Sequence, residues 1–394
     1  LSDSEIVTPE TVTEKIINGL PSKAINKSTL FLDIASKQGE FVYALFKIYG
    51  KEIANNFYSI PTSKIAYEFT RKVYKLLGLN IDNIESKFSS YDLIKENTLI
   101  KNGSLKFNNK KMKFDVIVGN PPYQQTISSN SKNKSLSRQI FPDFIYLTLS
   151  LNPKYLSLVT PSRWFTGDAQ DKSFLKLREF FKNNNKIESI VNMPISSSVF
   201  PDVEISGGIN YFLYNQNHKG KVRFTEYYDE DNQITNERPL FEEGLDIILS
   251  SSFSYNIISK VTKSKFESIT SITKGRNAFG ILGMDAERVS KTTKNGNLYE
   301  LRCKYEEIRY VDKKYITKNA DLAENWKVFI SKGNGGAGLL TDNKEVSILG
   351  KPYLGGPKSV CTDSLIPIGN FKNKSEAIAL SNYIKTKFFR FMIG

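Results

Sequence analysis

An apolar strand, FDVIV (114–118), runs into Gly119 and then into Asn120, Pro121, Pro122 and Tyr123. The asparagine side chain offers one carbonyl acceptor and one amide donor. Two consecutive prolines withhold backbone N–H groups and stiffen the corner, so the corner presents carbonyls. The tyrosine adds a flat face for stacking. Together these groups suit a planar substrate with an exocyclic amino group, its N–H bonds directed at acceptors and its ring resting on the aromatic. An incidental proline-rich turn would account for the prolines, but not for an amide closing a buried strand downstream of a second turn of similar kind.

That second turn is FLDIASKQGEF (31–41), in which Asp33 ends a strand and Gly39 precedes a helix. One glycine at such a turn allows close backbone approach to a nucleotide-like ligand, although single-glycine turns are common by themselves. Other chemistries have little to work with. His218 is the single histidine and lies in the polar stretch NQNHKG, as a solvated loop residue would. Serine–histidine–aspartate catalysis and histidine-based zinc sites are therefore disfavoured, and no metal site is expected. Cys303 and Cys361 are far apart and lack metal-ligand spacing, which fits a reduced cytoplasmic compartment.

The elements that must position the two turns follow from periodicity. Thr8-Pro9 reads as a capping hydroxyl and first-turn proline ahead of an apolar stripe at Val12, Ile16, Ile17 and Leu20. Strands are expected at 30–35, 55–61, 114–119 and 154–161, with helices at about 40–50, 63–77, 137–150 and 170–182. Such alternation predicts a Rossmann-like, doubly wound α/β sheet covered on both faces. The next two strands, IESIVNM and GGINYFLY, have no helix between them and read as an antiparallel hairpin closing that sheet. Regularity fades after Tyr214, so the domains are expected at 1–218 and 219–394, the second of mixed α+β type.

With 394 residues, two domains are the natural expectation. Lys and Arg exceed Asp and Glu to give a formal charge of +14 and a pI near 9.3, favouring a polyanionic partner, most simply nucleic acid. A solvated lysine-rich surface, or the codon bias of an A/T-rich genome, is the plainer alternative. No apolar run approaches the roughly 20 residues of a membrane span, so no membrane partner is expected. A start on Leu1 reads as a processed or partly observed chain, and the abrupt FFRFMIG end as a truncated one.

The NPPY stretch after an apolar strand, with D-x-A-x-x-x-G-x-F upstream, resembles the amino-methyltransferases that use S-adenosylmethionine. Within them the chain is most similar to the gamma-class N6-adenine DNA methyltransferases of restriction–modification systems, including the methyltransferase part of fused enzymes. The resemblance implies a catalytic loop at Asn120, Pro121, Pro122 and Tyr123. It places Thr8 over the methionine of the cofactor and Asp33, Ala35, Gly39 and Phe41 around it. Asp92 in SSYDLI is implied to contact the cofactor adenine, and Phe144 to form an apolar wall. RNAFGIL (276–282), the glycine-rich segments KGNGGAG (332–338) and LGGPKSVCTDSLIPIG (354–369), and the C-terminal SEAIALSNYIKTKFFRFMIG resemble a target-recognition domain for double-stranded DNA. A nuclease or other restriction–modification component, in the same longer polypeptide or as a separate subunit, is the implied partner.

Two departures from that pattern stand out. Ser36, Lys37 and Gln38 occupy a turn that customarily carries more glycines, and Pro61-Thr62 stand where an acidic residue ordinarily binds the ribose; Glu68 could replace it only by an unusual geometry. Three rival readings follow: a glutamine-N5 protein methyltransferase, which the large basic C-terminal region argues against, an N4-cytosine enzyme, which would ordinarily carry serine for Asn120, and a DNA-binding module with a degenerate cofactor site.

Overall fold

The computed structural model describes residues 6–96, 98–126, 137–167, 169, 171–200, 205, 207–262, 267–304, 307–331 and 349–393. The chain divides into two compact units, Leu1–Asn256 and Ile257–Gly394. The glycine-rich stretch 332–338 lies outside the described residues.

The first unit is organised by one sheet of eight strands: β1 (Phe31–Ser36), β2 (Phe57–Pro61), β3 (Val116–Gly119), β4 (Tyr155–Pro161), β5 (Ile187–Met193), β6 (Ile209–Asn215), β7 (Val222–Tyr227) and β8 (Gln233–Arg238). Their spatial order is β8-β7-β5-β6-β4-β3-β1-β2. Only β6 and β8 run against the others. The expected hairpin is present, with β6 inserted between β5 and β4. Alternate strand residues feed two cores. Leu32, Ile117 and Leu156 join Phe141, Phe144 and Leu177 in one, while Phe31, Val116 and Tyr155 join Val12, Val42 and Leu45 in the other. Burial on both faces is why the parallel strands read as nearly continuous apolar runs.

Helices α1 (Glu10–Asn18), α2 (Glu40–Tyr49), α3 (Lys64–Leu77), α4 (Ser90–Lys95), α5 (Phe141–Ser150) and α6 (Ser173–Asn183) complete this unit's layers. Ser63 caps α3 by accepting the Ala66 N–H at 3.1 Å, and Gly78 ends that helix in the left-handed region. Two local expectations need correction. Thr8 does not cap α1; Pro9 holds the cap position and makes no side-chain bond. Residues 137–139 form a short strand paired with 124–126, so α5 starts only at Phe141.

The boundary expected at 218 is also displaced. β7 pairs parallel with β5, and β8 pairs antiparallel with β7, so the sheet continues to Arg238 and the unit closes at Asn256. The alternating pattern VRFTEY marks β7 as half-buried, but no helix announces it, and loss of helical periodicity was not loss of the sheet.

The second unit is of mixed type. A four-stranded sheet takes Ser290–Lys291, Ile308–Val311, Tyr299–Arg302 and Ser359–Cys361, and a three-stranded one takes Tyr353–Gly355, Trp326–Ser331 and Leu365–Phe371. Buried Lys327 has the carbonyls of Leu322, Ala323, Asn325 and Gly356 within hydrogen-bond distance of its three N–H donors, tying its own segment to that of Gly356. In RNAFGIL, Phe279 is buried in this unit's core and Arg276 pairs with Asp363 at 3.2 Å.

The strand order places a switch point at β1. The chain leaves β1 toward β2 on one side and returns to β3 on the other, opening a crevice beyond the carboxyl ends of β1 and β3. Gly119 sets how closely those ends approach. It has φ +157°, and a Cβ there would stand 2.9 Å from Ile34 Cγ2 and 3.3 Å from Asp33 Oδ1. Gly119→Ala is expected to cost about 1–3 kcal/mol, read as a lower urea midpoint; an unchanged midpoint would show that the two strand ends separate freely.

Candidate functional site

Both turns singled out in the sequence arrive at this crevice. β1 is buried throughout and ends beside β3, with Asp33 in register with Val118. Asp33 Oδ1 accepts the Ala35 N–H at 3.1 Å, while Oδ2 has no hydrogen-bond partner. Burial, reinforced by the charge of Glu40, pushes the Asp33 carboxyl up to about 8; the Ala35 N–H, Lys37 and Ser36 offset part of this. Gly39 adopts φ +77° at the amino end of α2, a conformation glycine reaches without steric cost. Ala35 is buried in the core that holds Tyr123, whereas Phe41 packs on the other face of the sheet with Val12 and Val42. Phe41 thus supports the turn from beneath.

Asn120 is fully buried. Its Nδ2 donates to the Ile6 carbonyl at 2.9 Å, leaving Oδ1 buried and without a partner. Pro121 and Pro122 are buried too. Tyr123 is 5% exposed and joins the core cluster that contains Ile140, Phe141 and Phe144. Its main-chain carbonyl accepts the Ile140 N–H at 3.0 Å, anchoring the loop to the entry of α5. Burial raises the Tyr123 hydroxyl, opposed by the neighbouring Asn120 side chain, yet the two form no hydrogen bond of good geometry. The ring is therefore a wall of the loop here, not the open stacking face the sequence suggested. Truncating it to alanine would empty core volume as well.

Thr8 is buried, and its Oγ1 has no partner. Thr62 N–H donates to the Ser36 carbonyl at 3.1 Å, and its own buried Oγ1 is likewise unpartnered. Buried polar groups are paired in the great majority of cases. Thr8 Oγ1, Asp33 Oδ2, Thr62 Oγ1, Asn120 Oδ1 and Tyr123 Oη are five exceptions, on or beside the segments that end β1, β2 and β3. Such a set is what a polar ligand's site leaves open.

A cavity of about 540 Å³ adjoins the end of β2, lined by residues that include Thr62, Tyr67, Glu68, Phe88, Ser89 and Asp92. Asp92 lies at the third position of α4, where its carboxylate accepts the Ser89 N–H and hydroxyl, each at 2.8 Å; the Ser89 N–H is the main cause holding its pKa below the ordinary carboxylate range. Glu68 is turned to Arg71 on its own helix. Glu85 is occupied by the N–H groups of Lys87 and Asn108. Phe144 is fully buried in the core with Tyr123 and does not line this cavity.

The three residues in place of glycines fill the turn. Ser36 Oγ is 3.1 Å from Thr70 Oγ1, Gln38 is exposed, and Lys37 is buried with Nζ donating to the Asn120 main-chain carbonyl. Neither Lys37 nor Thr62 was singled out as a site residue from sequence. A long cation where glycine is customary, and a hydroxyl where a carboxylate is customary, were the available signals.

A parallel-centred sheet with an inserted antiparallel strand, and two polar turns at its switch point, make a Rossmann-like, doubly wound α/β fold. Residues 25–200 match the family model described as Eco57I restriction-modification methylase, a segment that spans β1 to β5 and both turns. A curated "uncharacterized adenine-specific methylase" of Mycoplasma pneumoniae is 36% identical over 151 residues, 38% of this chain and 35% of that protein. The type I restriction enzyme MpnII methylase subunit of the same organism is 22% identical over 357 residues, 83% of this chain and 61% of the relative. The chain thus spans less than two thirds of either curated relative. In solved structures, DrdV in its complex with DNA shares the fold, with TM-score 0.54 and 10% identity over 96% of this chain and 51% of DrdV.

The raised Asp33 carboxyl carries a pH signature. Between its ordinary value near 4 and about 8, the folded protein keeps a proton that the unfolded chain has lost, so this group's contribution to stability falls as pH rises through that window. Asp33→Asn should remove the fall. Relative to wild type, the variant should gain about 1.4 kcal/mol for each pH unit across the window, measured by urea unfolding at pH 5 and pH 8. Parallel stability curves would show that Asp33 titrates normally.

Proposed function

We propose that this chain is the methyltransferase and target-recognition part of a restriction–modification enzyme, transferring a methyl group from S-adenosylmethionine to the N6 amino group of adenine in double-stranded DNA. The observation that carries the reading is the buried, unpartnered Asn120 Oδ1 at the end of β3, within the segment matched by the methylase family.

The residues present fit the cofactor. Thr8 Oγ1 and Asp33 Oδ2 are open polar atoms suited to the ammonium and neighbouring groups of a methionine moiety, with Ala35 and Gly39 shaping the turn between. Thr62 and Asp92 line the 540 Å³ cavity and are assigned to ribose and adenine, while Phe41 and Phe144 stay within the two cores and only support the segments around it. When bound, the cofactor supplies a methyl group already activated on a sulfonium.

The chain's own residues then deal with a poor nucleophile, because the adenine amino lone pair is delocalised into the ring. Asn120 Oδ1 and the Pro121 carbonyl accept its two N–H bonds, which draws the nitrogen toward tetrahedral geometry and aims its lone pair. Positioning of this kind supplies much of the rate. The target base must leave the duplex to reach a buried acceptor, and Tyr123 lies beside that acceptor as a wall for the extruded ring. The unit 257–394 contributes contacts to the phosphates and base edges, and a nuclease or other component of the system, in a longer polypeptide or a separate subunit, completes it.

Transfer of labelled methyl from S-adenosylmethionine to duplex DNA tests this. Asn120→Ala should lower kcat on the order of 100-fold or more, the scale set by loss of one preorganised hydrogen-bonding group, with an unfolding midpoint close to wild type. Wild-type-like methylation of adenine by that variant would sink the mechanism. Exchanging residues 257–394 for the corresponding part of a relative should change which sequence is methylated; an unchanged target would refute the recognition role.

A further inference from the structure

Lys37 is the least expected residue in the site. Its side chain is 1% exposed, among the largest wholly buried side chains in the chain. It occupies the turn between β1 and α2, yet its Nζ donates across the crevice to the main-chain carbonyl of Asn120, 83 positions away. A buried ammonium is costly to desolvate unless held by strong acceptors. Apolar packing at this turn would not require one.

The bond joins the two halves of the site. On the β1 side, the charge of Lys37 acts on the Asp33 carboxyl. On the β3 side, it holds the peptide unit on which both proposed acceptors depend: the Asn120 carbonyl it grips lies between the Asn120 side chain and Pro121. The Asn120 side chain is held from the opposite end by Ile6. With its main chain fixed by Lys37 and its amide fixed by Ile6, Asn120 has two tethers, leaving Oδ1 as the open atom.

We propose that Lys37 is a positioning residue for methyl transfer: by bridging the turn after β1 to the Asn120 carbonyl, it sets the catalytic loop's height over the cofactor turn and so aligns the amino-group acceptors with the methyl donor. This rests on the methyltransferase reading above. The shape of the loop depends on a long cation from the neighbouring strand end, and the glycines customary in that turn cannot supply it. The role acts on the loop's geometry, so it should appear in kcat more than in cofactor affinity.

The test uses the full chain with Lys37→Met, which keeps length and apolar bulk, and Lys37→Gln, which restores a shorter neutral donor. Methyl transfer to duplex DNA, calorimetric Kd for S-adenosylhomocysteine and hydrogen exchange of the peptide covering 116–126 are measured together. Lys37→Met should lose 10- to 100-fold in kcat, hold cofactor Kd within about threefold and raise exchange at the Asn120 and Tyr123 amides. Lys37→Gln should recover part of both kcat and protection. Wild-type kcat in Lys37→Met, unchanged exchange at 116–126, or a loss confined to cofactor Kd would each overturn the assignment. If Lys37→Met does not fold, Lys37→Gln decides on the same readouts. Absence of methyl transfer by the wild-type chain would instead refute the methyltransferase reading, and the exchange data would still show whether the bridge holds the loop.

Discussion

Parallel pairing of β1 with β3, with Asp33 opposite Val118, sets the ends of the two strands side by side, and the rest of the site depends on that pairing. The turn after each strand has somewhere to go only because the chain passes to β2 on one side and returns to β3 on the other. Gly119 lets the two ends close without a side chain between them. Once they are close, Asp33 and Asn120 both lose water, and Asn120 is served by groups from elsewhere in the chain. Lys37 and Ile6 serve Asn120 in this way.

Much of this arrangement was legible in the sequence because it is local. A buried parallel strand announces itself as an apolar run, and the NPPY and DIASKQG turns follow such runs directly. The strands of the large sheet up to residue 215, the helices packed on it and the antiparallel hairpin lie close to where they were expected, whereas the small strands between residues 100 and 112 and the helix Ser90–Lys95 were not foreseen. What failed was what depends on distant partners. β7 and β8 extend the sheet because β5 offers a free edge, and an alternating strand without a following helix gave no sign of joining a parallel sheet. Thr8 read as a helix cap because its neighbours are cap-like, yet Pro9 takes that position. Tyr123 read as an open platform because the core that buries it, with Ile140, Phe141 and Phe144 among its members, is assembled from residues outside the loop.

The missing ribose carboxylate has a structural counterpart. Thr62 follows β2 with its main chain bonded to Ser36, so its hydroxyl is buried beside the turn instead of turned to solvent. A neutral hydroxyl replaces a charged group at that corner, and the cavity's carboxylates are engaged elsewhere: Glu68 with Arg71, Asp92 with Ser89 and Glu85 with two backbone N–H groups. The corner after β2 therefore carries a neutral, buried hydroxyl, while the carboxylates of the adjoining cavity are satisfied by other groups. That division could not be read from spacing, since it is set by which side chains the folded chain happens to satisfy.

The tether from Asn120 Nδ2 to the Ile6 carbonyl has a further consequence. A main-chain carbonyl can only accept, so the amide group facing it must be the –NH2 end. The side chain cannot turn over by 180° without setting two oxygens against each other. An ordinary asparagine is ambivalent and can greet a donor or an acceptor with equal ease; this one has been made single-minded. A keto oxygen, as on the corresponding edge of guanine or thymine, would meet lone pairs where an amino group meets an acceptor. The orientation of the Asn120 amide is thus set by a main-chain carbonyl more than a hundred positions before the loop it disciplines.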